Sequence, residues 1–157
     1  MKNKTLKTAA FLFIASGLYN LWTLRPVDIL YIYSDAGWSV DLVVDHMPWT
    51  DRDKIDWYLA HQKQIKNKYP LLDGEQHNYY IWDIGNGFTN YNNSPHEDLL
   101  CFPTIKNDNN CIVKYPLLIV DEYPYRNARF SVYPWENEYE LTPENKLERI
   151  YHEYLPE

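Results

Sequence analysis

Apolar and polar positions change rhythm three times along this 157-residue chain. From Thr8 to Leu24 the side chains are uncharged and mostly apolar, with Lys2, Lys4 and Lys7 before them and Arg25 after. Seventeen residues in a helix would reach roughly 25 Å, a little under a ~30 Å hydrocarbon core. Tyr19 and Trp22 suit the far headgroup layer, and Lys7 and Arg25 can reach the interfaces. The pattern predicts an N-terminal membrane anchor over residues 1–25 with a transmembrane helix at about 8–24. The lysines keep the N-terminus cytoplasmic and place everything after it in the periplasm. Two alternatives stand beside it. Ala15-Ser16-Gly17 offers the small residues of a signal-peptide cut, although Leu18, Leu21, Trp22 and Leu24 prolong the apolar run beyond it. The segment could also be a buried helix of a cytoplasmic domain. No cysteine lies nearby, which excludes a lipoprotein signal.

The rhythm then shortens to two. Val27–Tyr33 is apolar on both faces and reads as a central strand. Asp35-Ala36-Gly37 forms a hairpin loop with glycine available for a left-handed position. Val40, Leu42 and Val44 alternate with Asp41, Val43 and Asp45 along the returning strand, which Pro48 ends. Thr50 and Asp53 form a capping-box-like start to a helix that runs to about Lys68. Ile55, Tyr58, Leu59, Gln62, Ile65 and Tyr69 share one face of it, and Lys54, Asp56, Lys63 and Asn67 the other. Lys63, Lys66 and Lys68 sit near its C-terminus, where the dipole favours cations. Trp57 and His61, four residues apart, read as a packed pair. Pro70 prevents continuation.

Beyond Pro70 the signals are strands and turns: Asn78–Ile84, a reversal at Gly85-Asn86-Gly87, then Leu99–Phe102 and Cys111–Lys114. Leu117–Tyr123, Ala128–Tyr133, Asn137–Leu141 and Leu147–Tyr151 read as a C-terminal meander, with Lys146–Tyr154 open to a short helix instead. The fold class is α+β: an N-terminal transmembrane helix followed by one small domain, residues 26–157, with a mainly antiparallel sheet and one main helix.

Charge sharpens the division. Residues 1–25 hold four of the fifteen Lys and Arg and no acid, so residues 26–157 carry eleven bases against twenty-two acids, a formal charge of −11. Such a domain repels nucleic acid and selects a basic protein partner, unless its acids only form a solvated surface. Fifteen Tyr and six Trp suit both a sheet core and a binding surface. In an exported domain Cys101 and Cys111 read first as a disulfide closing a short loop.

No phosphate loop, nucleophile elbow, H-E-x-x-H or EF-hand loop is present, so no catalytic residue, metal ligand or cofactor is assigned. The histidines are scattered, and adjacent pairs such as Asp45-His46 point apart on a strand. The most distinctive polar feature is Trp135-Glu136-Asn137-Glu138-Tyr139-Glu140. On a strand Glu136, Glu138 and Glu140 share one face and Trp135, Asn137 and Tyr139 the other. It is either a charged edge strand or an acidic docking strip, with Trp135, Glu136, Glu138 and Glu140 as the candidate partner-binding residues.

Several motifs occur in a fixed order: Leu24-Arg25-Pro26-Val27, Pro48-Trp49-Thr50-Asp51, Lys54-Ile55-Asp56-Trp57, Trp82-Asp83-Ile84-Gly85-Asn86-Gly87-Phe88, Leu100-Cys101-Phe102 and Asn110-Cys111-Ile112. This combination resembles the enterobacterial putative membrane protein family known as domain of unknown function 943. The resemblance implies a small inner-membrane protein and supplies no catalytic residue. By analogy of size and layout with immunity proteins, the leading expectation is a periplasm-facing immunity protein that neutralises an antibacterial toxin by occlusion. An accessory envelope protein docking onto another membrane component is the alternative, and an enzyme acting on envelope glycans a third.

Overall fold

The computed structural model of the chain describes residues 2–134 and 136–151. Trp135 and the last residues of the possible Lys146–Tyr154 helix lie outside the described residues. In chain order the elements are α1 (Lys2–Thr23), β1 (Ile29–Ser34), β2 (Ser39–Val44), α2 (Asp51–Lys68), β3 (His77–Asp83), β4 (Leu99–Cys101), β5 (Cys111–Val113), β6 (Pro116–Glu122), β7 (Arg129–Val132), β8 (Asn137–Leu141) and β9 (Leu147–Ile150). Seven strands form one sheet in the order β1-β2-β3-β6-β7-β8-β9, and β4 pairs with β5 separately. β2 and β3 run parallel, while the other neighbours in the sheet are antiparallel. A parallel pair needs a crossover, and α2 supplies it.

The two sheet faces have different covers. Val40, Leu42, Val44, Tyr79, Ile81, Leu118, Val120, Phe130 and Val132 are buried with Ile55, Tyr58 and Ile65 of α2 in the main core. Thr50 starts α2 by accepting from the Asp53 N–H at 3.1 Å, as its sequence signature predicts. Glu122 fixes the helix on the sheet: its carboxylate accepts from Tyr58 at 2.9 Å and Gln62 at 2.5 Å and pairs with Lys66 at 2.6 Å. On the opposite face Val43, Phe102 and Ile112 form a second, smaller core. There the β4–β5 hairpin covers the β1–β3 side of the sheet. Cys101 and Cys111 are cross-strand partners in that hairpin and are joined by a disulfide.

Three expectations are corrected. Among the described residues no helix is long and apolar enough to cross a membrane, so the predicted transmembrane helix is overturned. α1 has 22 residues, but lysines dilute its start and polar groups its end. Its last turns are also occupied by the domain. Tyr19 donates to the Asp53 carboxylate at 3.0 Å, and Trp22 Nε1 donates to the Met47 carbonyl at 3.3 Å. Trp22 stacks on Trp49 and meets His46 edge-on. The aromatic residues assigned to a headgroup layer are protein contacts, and Thr8–Leu18, without them, would reach only ~16 Å.

Secondly, β1 is an edge strand and not a central one. It is apolar on both faces for a local reason: Ile32 packs against the main core, while Tyr31 and Tyr33 pack against the smaller one. Thirdly, the left-handed position of the first hairpin belongs to Ala36, with φ 57°, and not to Gly37. The Asp35 carboxylate holds that turn by accepting from the N–H groups of Gly37, Trp38 and Ser39. The Gly85-Asn86-Gly87 reversal does use positive φ at both glycines.

Candidate binding face

Strand alternation and the sheet register determine which side chains share the face opposite α2. One row crosses the strands as Asp41, Tyr80, Ile119, Ser131, Glu138 and Ile150. The next row runs Asn78, Asp121, Arg129, Glu140 and Glu148. At ~4.8 Å per strand, Asp41 to Glu138 is roughly 19 Å. Every residue in the two rows is half-buried or exposed, in contrast to the fully buried positions that face α2. The β4–β5 hairpin core lies over the β1–β3 side and includes Trp82, the neighbour of Asp41. The β6–β9 side beyond it carries Asp121, Glu138, Glu140 and Glu148 with one guanidinium, Arg129, and Asp41 stands at the margin.

The sequence candidates are divided by this geometry. Glu138 and Glu140 lie on the open face, in adjacent rows. Glu136 precedes β8 with φ 50° and is exposed in the turn, so it is not part of the strand stripe. Asn137 and Tyr139 point the other way, and both donate to the Asp51 carboxylate at 2.8 Å, docking the start of α2. Trp135 is outside the described residues.

Three carboxylates that the sequence did not single out, Asp41, Asp121 and Glu148, complete the surface. Asp41 is pushed above the ordinary carboxylate range by burial, a tendency opposed by the bond from Trp82 Nε1 at 2.7 Å and reinforced by Asp35. Burial also raises Asp121, and the Glu138 charge adds to this against the pull of Arg129. Two tyrosines stand among these acids. Tyr80 is raised by burial and by Asp121 and Asp41; Tyr133 is raised by burial and by Glu136, Glu138 and Asp121. Both phenols therefore remain neutral donors at physiological pH. Tyr80 lies 5.8 Å from Trp82 in a stacked pair. The result is a half-buried aromatic platform beside carboxylates that repel one another. A cation would relieve that repulsion, and both carboxylates and ring faces attract ammonium and guanidinium groups.

A second polar cluster lies at the α1 junction. His46 Nδ1 is 2.7 Å from Asp45, which also pairs with Arg25. This adjacent pair does meet, because the strand ends at Val44 and the backbone is free to turn. His46 Nε2 is buried without a hydrogen-bond partner. Lys54, assigned by helical periodicity to the outer face of α2, is buried and donates from Nζ to the Tyr133 carbonyl at 2.7 Å. Burial lowers its pKa against the opposing charge of Asp51. Trp57 and His61 do form the packed pair, stacked at 4.6 Å. Among the described residues no group of three or more His, Cys, Asp or Glu is arranged to hold a metal ion.

This architecture defines a small sheet-rich α+β protein with one open acidic face. The chain belongs to the family described as enterobacterial putative membrane protein (DUF943), whose model matches residues 1–151. No curated protein and no solved structure matches it.

Proposed function

We propose that this protein is a non-enzymatic binding protein whose open sheet face docks a basic protein. In its most specific form it is an immunity protein that neutralises an antibacterial toxin by covering the toxin's cationic surface. The observation behind this reading is the set Asp121, Glu138, Glu140 and Glu148, with Asp41 at its margin, on the part of the face opposite α2 that lies beyond the β4–β5 hairpin. Two of them, Asp41 and Asp121, are held above the usual carboxylate range, mainly by burial, a cost to folding that a partner's cation would offset. The Cys101–Cys111 disulfide supports an oxidising compartment such as the periplasm.

The test is co-expression with the effector encoded beside it. The wild type should restore growth, and a charge-reversed Asp121→Lys/Glu138→Lys variant should lose protection while remaining folded. Full protection by that variant would exclude this face. Recovery of a resident envelope protein by pull-down, with no rescue of any effector, would favour the accessory-protein alternative.

A further inference from the structure

The exposed edge of β1 carries a second surface of opposite charge. β1 ends the sheet, so from Tyr31 to Ser34 alternate residues present N–H and C=O groups outward without a neighbouring strand, while the register shifts at a bulge between Ile29 and Tyr31. Edge strands are normally protected by a charge, a proline or a cover. The other edge, β9, contains Glu148 and Arg149, whereas Ile29–Ser34 has neither charge nor proline. Ile29 is 37% and Leu30 49% exposed. Directly beside them is a groove of about 440 Å³, bounded by β1 on one side and by His61, Gln64, Ile65 and Lys68 of α2 on the other. It adjoins a second depression formed by Lys63, Gln64, Asn67 and Lys68. The rim is therefore basic within a strongly acidic domain. Lys66 is engaged by Glu122, but among the described residues Lys63 and Lys68 form no ion pair; Lys68 lies over the Tyr69 ring. His61 donates from Nδ1 to the Trp57 carbonyl, which fixes its ring against the groove wall.

We infer that β1 and this groove form a strand-addition site for an extended acidic–apolar segment of a partner protein. Main-chain hydrogen bonds to the β1 edge would supply register. Alternate apolar side chains would enter the groove over Ile29, Ile32 and Ile65, and a carboxylate would meet Lys63 and Lys68. A second copy of this chain fits less well, because pairing two β1 edges brings two uncharged strands together and leaves both lysine rims unmatched.

The probe is a capped peptide of about eight residues alternating valine with glutamate and threonine, with a lysine-for-glutamate peptide as control. Both are titrated into the full chain by fluorescence anisotropy, and amide hydrogen exchange is followed across β1. The acidic peptide should slow exchange in Ile29–Ser34 and bind at least about tenfold more tightly than the basic one. Lys63→Glu/Lys68→Glu should reverse that preference. Leu30→Glu, at a half-exposed position, charges the edge and repels the acidic peptide, and should weaken its binding about tenfold with the fold intact. Asp121→Lys/Glu138→Lys should leave peptide binding unchanged, which separates this site from the acidic face. The inference is overturned if β1 gains no protection at about 1 mM peptide, or if the two peptides bind equally. Concentration-dependent protection of β1 without peptide would equally overturn it, by showing that a second copy is the occupant.

Discussion

Glu122 receives two hydrogen bonds and an ion pair from successive turns of α2, and one of its donors, Tyr58, is fully buried. Replacing it with alanine strands the Tyr58 hydroxyl and releases Lys66. Glu122→Ala should lower stability by about 2–3 kcal/mol in urea denaturation, and Glu122→Gln by less, since an amide oxygen still accepts from Tyr58. The acids of the open face have the opposite balance. Asp41 and Asp121 titrate above their unfolded values, so the folded state holds the extra proton and stability falls as pH rises through their folded range. Asp35 and Asp45 differ: burial pushes both upward, but hydrogen bonds from Ser39 and Gly37 to Asp35, and from Asp28 and His46 to Asp45, hold them below the usual range. Their contribution is present above the ordinary carboxylate pKa and is lost only in stronger acid. Mild acidification from neutral should therefore stabilise the wild type slightly. The Asp41→Asn/Asp121→Asn variant should lose that slope and be the more stable protein at neutral pH. Urea midpoints at two pH values measure this, and unchanged slopes would refute it.

α2 is legible from sequence because its signals are local: Thr50 caps Asp53, prolines flank it, and its apolar stripe repeats every three to four residues. Thr50→Ala should cost about 1 kcal/mol, read as a lower urea midpoint with an unchanged slope. β8 is half legible. Alternation separates Glu138 and Glu140 from Asn137 and Tyr139 correctly, but its start lies after Glu136, where a positive φ breaks the pattern. The edge position of β1 is not legible, because two different cores cover its two faces and together imitate a central strand. Asp41 and Asp121 escaped notice for a related reason: they share a face only because β3 lies between β2 and β6, and the crossover that inserts it leaves no local mark. The disulfide was legible from the cysteine count and the expected export. Its partners are ten residues apart, so Cys101→Ser/Cys111→Ser should reduce stability by about 2–3 kcal/mol through the unfolded chain. The same variant should speed amide exchange in β4 and β5 before it affects β6.

At the scale of the whole molecule, three surfaces sit on one small sheet: the α2 layer, the hairpin cover and the open acidic rows. A charge of −11 on residues 26–157 belongs to the molecule more than to any one strand, and the proposed association with a basic partner should therefore weaken steeply with added salt. The junction with α1 is where sequence and structure part most sharply. An apolar run beside lysines is an accurate description of residues 8–24, but a run does not reveal that Tyr19 and Trp22 have partners at Asp53, Met47 and Trp49. Trp22→Ala/Trp49→Ala should free the helix, raising protease cleavage between Thr23 and Ile29 severalfold while the sheet remains intact; unchanged cleavage would show that the stack is incidental.

That junction also has a mechanical meaning. Only five residues separate α1 from β1, and within them Arg25 pairs with Asp45 while the Asp28 N–H donates to the same carboxylate. With Tyr19 and Trp22 also hydrogen-bonded to the domain, the end of α1 is coupled to the sheet by contacts as well as by the chain. On the proposed reading, fixing α1 would also fix the heading of the acidic face and the β1 edge, so a partner would meet them at one azimuth with less rotational freedom to lose on docking.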